Sequence, residues 1–149
     1  MNDFFANLFE LWGAAIIENS QASFSNQMYD NGLYPSIGLL MCISAVLVVI
    51  LYYFIINHAR LSKWYWWGLF GLVVSTINFF ASWGIADTKL YQIYVNAGMQ
   101  YPFTFIDILP FSLIVAMWTF VVFLLASIIA KRFSINSRHT PWRSLWPKH

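Results

Sequence analysis

A chain of 149 residues that is 60% hydrophobic and only 9% charged, with a formal net charge of +2, carries too few polar groups to keep a soluble surface wet. A mean hydropathy of +0.61 and an aromatic content of 20%, including eight Trp, suit lipid and its boundaries, where one edge of a Trp or Tyr ring is buried and the other meets water. The single cysteine, Cys42, excludes an intramolecular disulfide.

The N-terminal stretch MNDFFANLFELWG carries acids and no Lys or Arg. It lacks the basic region of a secretory signal, so nothing is expected to be cleaved and the first span is expected to act as its own insertion signal. Residues 4–17 are too few for a span and contain Glu10 at their centre. Phe5, Leu8, Phe9, Trp12 and Ile16 share one helical face, with Asp3, Asn7, Glu10, Ala14 and Glu18 largely opposite. That pattern predicts an amphipathic helix lying in the membrane interface or packed on another subunit.

Three apolar runs follow, at residues 37–56, 64–85 and 108–130, none with a charged residue. Each supplies the roughly 20 residues that cross the hydrocarbon of a bilayer. In lipid the backbone must pair with itself, which selects helices. Between the second and third runs, Asp87 to Gly98 is predicted to form a short interfacial helix, started by Asp87 or Thr88 and ended by Gly98, with Tyr91, Tyr94 and Val95 on one face. The first and third spans are approached alike, by a glycine and a Tyr-Pro pair: Gly32 with Tyr34-Pro35, and Gly98 with Tyr101-Pro102. The expected fold is an all-α integral membrane protein with three transmembrane helices, an N-terminal amphipathic interfacial helix and a short interfacial helix between spans two and three. It forms a single membrane domain over 1–149: an outer amphipathic segment at 1–34, the spans, an outer loop at 86–107 and a basic tail at 131–149.

Charge orients this arrangement. Arg60 and Lys63 lie in the first connector, and Lys131, Arg132, Arg138, Arg143 and Lys148 in or at the tail, which is seven of the eight basic residues. All six acids (Asp3, Glu10, Glu18, Asp30, Asp87 and Asp107) lie on the other side with Lys89. Lys and Arg mark the cytoplasmic side, so the N-terminus is expected outside and the C-terminus in the cytoplasm, in a bacterial inner membrane.

Helices in lipid associate through small residues and polar contacts. In the second span Gly68, Gly71, Ser75, Asn78 and Ser82 are spaced to form one stripe, read as a helix-packing face or the lining of a pore. Asn78, deep in the span, is expected to bond to Ser75 or a neighbouring helix. The third span has a second packing stripe, Ser112, Ala116, Thr119, Ala126 and Ala130, interrupted by Phe123; the first has Gly38, Cys42 and Ala45. Asp107 is expected to be a helix N-terminal acid favoured by the dipole, with Pro110 in the first turn. On the basic side, Arg60, Lys63, Trp64, Lys131, Arg132, Arg138, Trp142, Arg143 and Trp146 are expected to contact lipid headgroups or a partner rather than nucleic acid.

The chemistry of common active sites is missing. No glycine-rich phosphate loop occurs, no Cys/His cluster has metal-ligand spacing, and the basic side has no carboxylates. A haem between the helices would find only Met41 and Met117 as ligands. The Met-x-x-x-Met of copper-uptake trimers, the Pro-Gln signature of half-size sugar transporters and the glutamate-rich site of small lipid kinases have no counterpart. No enzymatic activity, metal or cofactor is expected. The expectation is a structural or accessory subunit of a larger membrane complex, such as transport or secretion machinery, with membrane lipids and other membrane subunits as partners. The alternative is a small homo-oligomeric channel or membrane-perturbing protein.

Overall fold

The computed structural model describes residues 1–13, 22–56 and 64–131. They are 90% helical, with no strand among them. The elements are α1 (Asn2–Gly13), α2 (Ala22–Asp30), α3 (Leu33–Ile50, running on into a π-helical segment Leu51–Ile56), α4 (Trp64–Asn96) and α5 (Phe105–Lys131). Three segments, Leu33–Phe54, Tyr65–Asn96 and Phe105–Lys131, are long and apolar enough to cross a membrane. α3, α4 and α5 form a bundle in which α5 packs on both others, while α1 lies against α3 and α5 and α2 against α3 and α4.

α4 departs most from the sequence expectation. No separate short helix stands between the second and third spans, because α4 continues unbroken through 33 residues, about 50 Å. Asp87, Thr88 and Lys89 mark the end of the apolar run, but a helix tolerates all three. Ala86 and Leu90 extend the buried stripe past them. The helix stops where predicted, at Gly98. That residue has φ +67°, its N–H bonds to Val95 O at 3.0 Å and the Met99 N–H to Tyr94 O at 2.9 Å, the two bonds of a Schellman turn. The Phe105 ring lies on Trp83 at 5.1 Å, so α5 begins at the level of Trp83. Gly84–Asn96, about 20 Å of helix, extends beyond that level.

The other boundaries shift less. α3 starts at Leu33, four residues before the expected 37, straight after Gly32 at φ +61°, which also closes the unpredicted helix α2. α5 starts at Phe105 rather than 108. Thr104 donates from its backbone N–H and its hydroxyl to Asp107 Oδ2, both at 2.8 Å, which makes Asp107 the acid of a capping box. Pro110 is therefore the sixth residue of α5, beyond the first turn, and leaves the Ile106 carbonyl without its helical partner.

The core falls into two clusters. One, at the end covered by α1 and α2, gathers Phe5, Phe9, Phe24, Met28, Tyr34 and Phe111 with parts of all three long helices. The other, at the far end, gathers Ala45, Val49, Tyr52, Tyr53, Trp67 and Phe123. The apolar face of α1 is thus not free for lipid or another subunit as predicted. Phe5 and Phe9 are taken by this chain's own long helices, and a Cβ built on Gly38 of α3 would run into the Phe5 ring. Ala14, Ile16 and Glu18 lie outside the described residues, as does the side chain of Trp12.

Candidate functional site

Between the two clusters lies a polar waist. On α4 the residues separating Val74 of the far cluster from Ala86 of the capped one include Ser75, Asn78 and Ser82, all buried. Thr119 stands between Val115 and Phe123 on α5 in the same way, also buried. The Asn78 amide donates to Ser44 Oγ of α3 at 2.8 Å and to Val74 O at 3.0 Å, and Ser44 donates onward to Met41 O at 3.0 Å. The partner expected on a neighbouring helix is therefore Ser44. Ser82, Ser112 and Thr119 return their hydroxyls to backbone carbonyls one turn back, Phe79, Ile108 and Val115. This is the usual way to satisfy a hydroxyl where water is absent. Ser75 differs: its hydroxyl is buried and has no hydrogen-bond partner.

Ser75 also lines a groove of about 380 Å³ along one side of the bundle, between Leu72 of α4 and Leu113, Ala116, Met117 and Phe120 of α5. The walls are apolar, and the groove sits about a third of the way along α4 and halfway along α5, at the level of the waist.

The small-residue stripes are only partly brought together. Gly71 lies beneath Phe120 and Phe123, where a Cβ would crowd both rings, whereas a Cβ on Gly68 would meet nothing. On α5, Ser112, Thr119 and Ala130 are buried as a stripe, but Ala116 and Ala126 are half-buried at its margins. Their places are taken by Val115, Phe123 and Ser127. Ser127 accepts a hydrogen bond from Trp67 Nε1 at 3.1 Å, a second link between α4 and α5 that small-residue spacing did not flag. Cys42 is half-buried, and Gly38 and Ala45 are buried. Of the basic-side residues, Lys131 ends α5 and Trp64 begins α4; Arg60, Lys63, Arg132, Arg138, Trp142, Arg143 and Trp146 lie outside the described residues.

At the capped end the polar groups join α1, α2 and α3. Ser25 donates to Glu10 Oε1 at 2.7 Å, and the Tyr34 hydroxyl lies 2.9 Å from Ser25 Oγ and donates towards Glu10 Oε1 at 3.4 Å. Tyr29 donates to Asp3, and Asn2 to the Tyr29 carbonyl at 2.9 Å. Where α5 begins, Tyr101 donates to Asp87 Oδ1 at 2.9 Å. Each Tyr-Pro tyrosine thus reaches a carboxylate on another helix. Burial, and then the bond to Asp87, push the Tyr101 hydroxyl above the ordinary tyrosine range. The bond to Asp3 does the same for exposed Tyr29. Among the described residues no group of His, Cys, Asp and Glu is arranged to hold a metal ion.

No known family model matches this chain. No curated protein and no solved structure matches it either.

Proposed function

We propose that the chain is an integral-membrane subunit of a larger membrane assembly, and that the groove between α4 and α5 receives a helix from a neighbouring subunit. The groove at the waist carries this reading. It offers an incoming helix close approach over the small residues Ser75 and Ala116, between the bulkier Leu72, Leu113, Met117 and Phe120. In lipid, small residues and polar contacts give a helix something to gain from a partner, since apolar surface alone gives little. The channel alternative has less support, because Asn78 and Ser82 are turned into the bundle and Asn78 is bonded to Ser44.

The test is mass and composition after extraction in mild detergent from the native membrane. The wild-type chain should carry additional protein, and Ala116→Trp, which fills the groove, should release it. A wild-type chain that elutes alone, or an Ala116→Trp chain that keeps its partners, refutes the reading.

The charge split supports an N-terminus outside and a C-terminus in the cytoplasm. Helices rather than a barrel fit a bacterial inner membrane better than an outer one. An alkaline phosphatase fusion after Lys89 should be active and one after Lys63 inactive; the opposite pattern overturns this orientation.

A further inference from the structure

α1 has three sides, each about a third of its circumference at about 100° per residue. Phe5, Ala6 and Phe9 make the first, buried against α3 and α5. Asp3, Asn7 and Glu10 make the second. It is turned towards α2, with Tyr29 donating to Asp3 and Ser25 to Glu10. Phe4 and Leu11 make the third, with Leu8 at its edge; they are 64% and 71% exposed.

The position of α1 along the bundle decides what the third side meets. Phe5 sits over Gly38, the sixth residue of α3, and Phe9 stacks edge-on against Phe111, the seventh of α5, at 5.6 Å. Phe9 also packs on Tyr34, the second residue of α3, at 5.9 Å, so α1 lies beside the first two turns of the long helices, within about 10 Å of their starts, rather than above them. Over the same turns the long helices expose apolar side chains of their own: Leu39, Leu40 and Ile43 on α3, and Ile106 and Leu113 on α5. Phe4 and Leu11 add exposed apolar surface at the same end of the bundle.

We infer that α1 is seated at the membrane boundary with Phe4 and Leu11 entering the acyl layer of one leaflet, while Asp3, Asn7 and Glu10 face α2 and water. The inference rests on the reading of α3, α4 and α5 as membrane spans. It assigns lipid to a side of α1 different from the Phe5–Phe9 face that the sequence pattern suggested. A helix at such a boundary needs an apolar side for lipid and a polar side for water. α1 has both in addition to the side that docks it.

The full chain carrying Cys42→Ser is labelled with a nitroxide at Phe4→Cys, Leu11→Cys, Asn7→Cys or Ile77→Cys and placed in vesicles of phosphatidylethanolamine with a minority of phosphatidylglycerol. Collision rates with oxygen and with a water-soluble nickel chelate are then compared. Ile77, 57% exposed on α4, about 20 Å from its start and outside the groove lining, reports whether the bundle is in lipid at all. Positions 4 and 11 should resemble position 77, with oxygen strongly favoured over nickel, and position 7 should show the reverse. If position 77 is oxygen-rich while 4 and 11 collide with nickel as freely as 7, the inference fails and the membrane reading stands. If 4 and 11 are shielded from both reagents, protein covers them and the inference also fails. Nickel access at 77 overturns the membrane reading itself.

Discussion

The two apolar clusters are built by different means. At the far end α3, α4 and α5 meet with small residues under large ones: Gly71 under Phe120 and Phe123, and Trp67 over Ser127 with one hydrogen bond between them. At the capped end the same three helices are joined by two short ones, and aromatic rings do most of the packing. Phe111 touches Phe9, Phe24 and Tyr34, and Phe24 passes the contact on to Phe103. Helices as short as α1 and α2 are marginal by themselves. They persist here because their rings fill the bundle end and their carboxylates are bonded to hydroxyls. The polar waist separates the two constructions, so damage to one should leave the other standing.

The largest expected break comes from Phe111→Ala, which removes the ring at the centre of the capped cluster at a cost of about 3–5 kcal/mol. Hydrogen exchange should accelerate throughout α1 and α2 while the stretch of α5 around Phe123 stays protected. Equal acceleration in both clusters would show that they are one unit. Gly38→Ala should cost about 1–3 kcal/mol by pushing the Phe5 ring aside. Its effect should be confined to α1, read as protease sensitivity near Leu11, and Phe5→Leu in the same chain should recover part of the loss. At the waist, Asn78→Leu should lower stability, with Asn78 and Ser44 coupled by about 0.6 kcal/mol, an average for such bonds between membrane helices. A double-mutant cycle with Ser44→Ala in detergent unfolding would isolate the pair, and no coupling would remove the waist as a distinct layer.

The smallest effect is on pH. Tyr101 and Tyr29 have hydroxyls raised above the ordinary value of 10.0, so the neutral form is favoured in the folded chain. The stabilisation is complete below pH 10 and is lost as pH rises through the higher folded values. Tyrosinate absorbance should therefore develop late, and Asp87→Asn should move the Tyr101 component to lower pH.

The sequence made the three long apolar helices legible because length without charge has no other economical reading in a helical chain. Gly98 as a terminator and Asp107 as a first-turn acid were legible because each acts through its own backbone neighbourhood. The rest depends on tertiary contact. α2 reads ASFSNQMYD, with only Phe24 and Met28 a turn apart as a helical signal, and its structure comes from burying those two side chains. The separate helix at Asp87 was an error of kind. A change in polarity marks where a helix leaves an apolar layer, not where it ends. Ser44 and Ser127 went unnoticed because a lone serine in an apolar run gives no clue to which neighbour it will meet.

The unbroken length of α4 has a mechanical consequence. Its last thirteen residues are the same rigid rod as its middle, with no joint between Ser75 and Asn96. A tilt of about 10° about Ser75 sweeps the tip at Asn96 sideways by about 5 Å, since about 30 Å of helix separates them. Tilt of that size is within the ordinary range for helices in bilayers. A subunit helix seated in the groove beside Ser75, as proposed, would therefore have a lever reaching Tyr91 and Tyr94, and a body leaning on those tyrosines would have the same lever back.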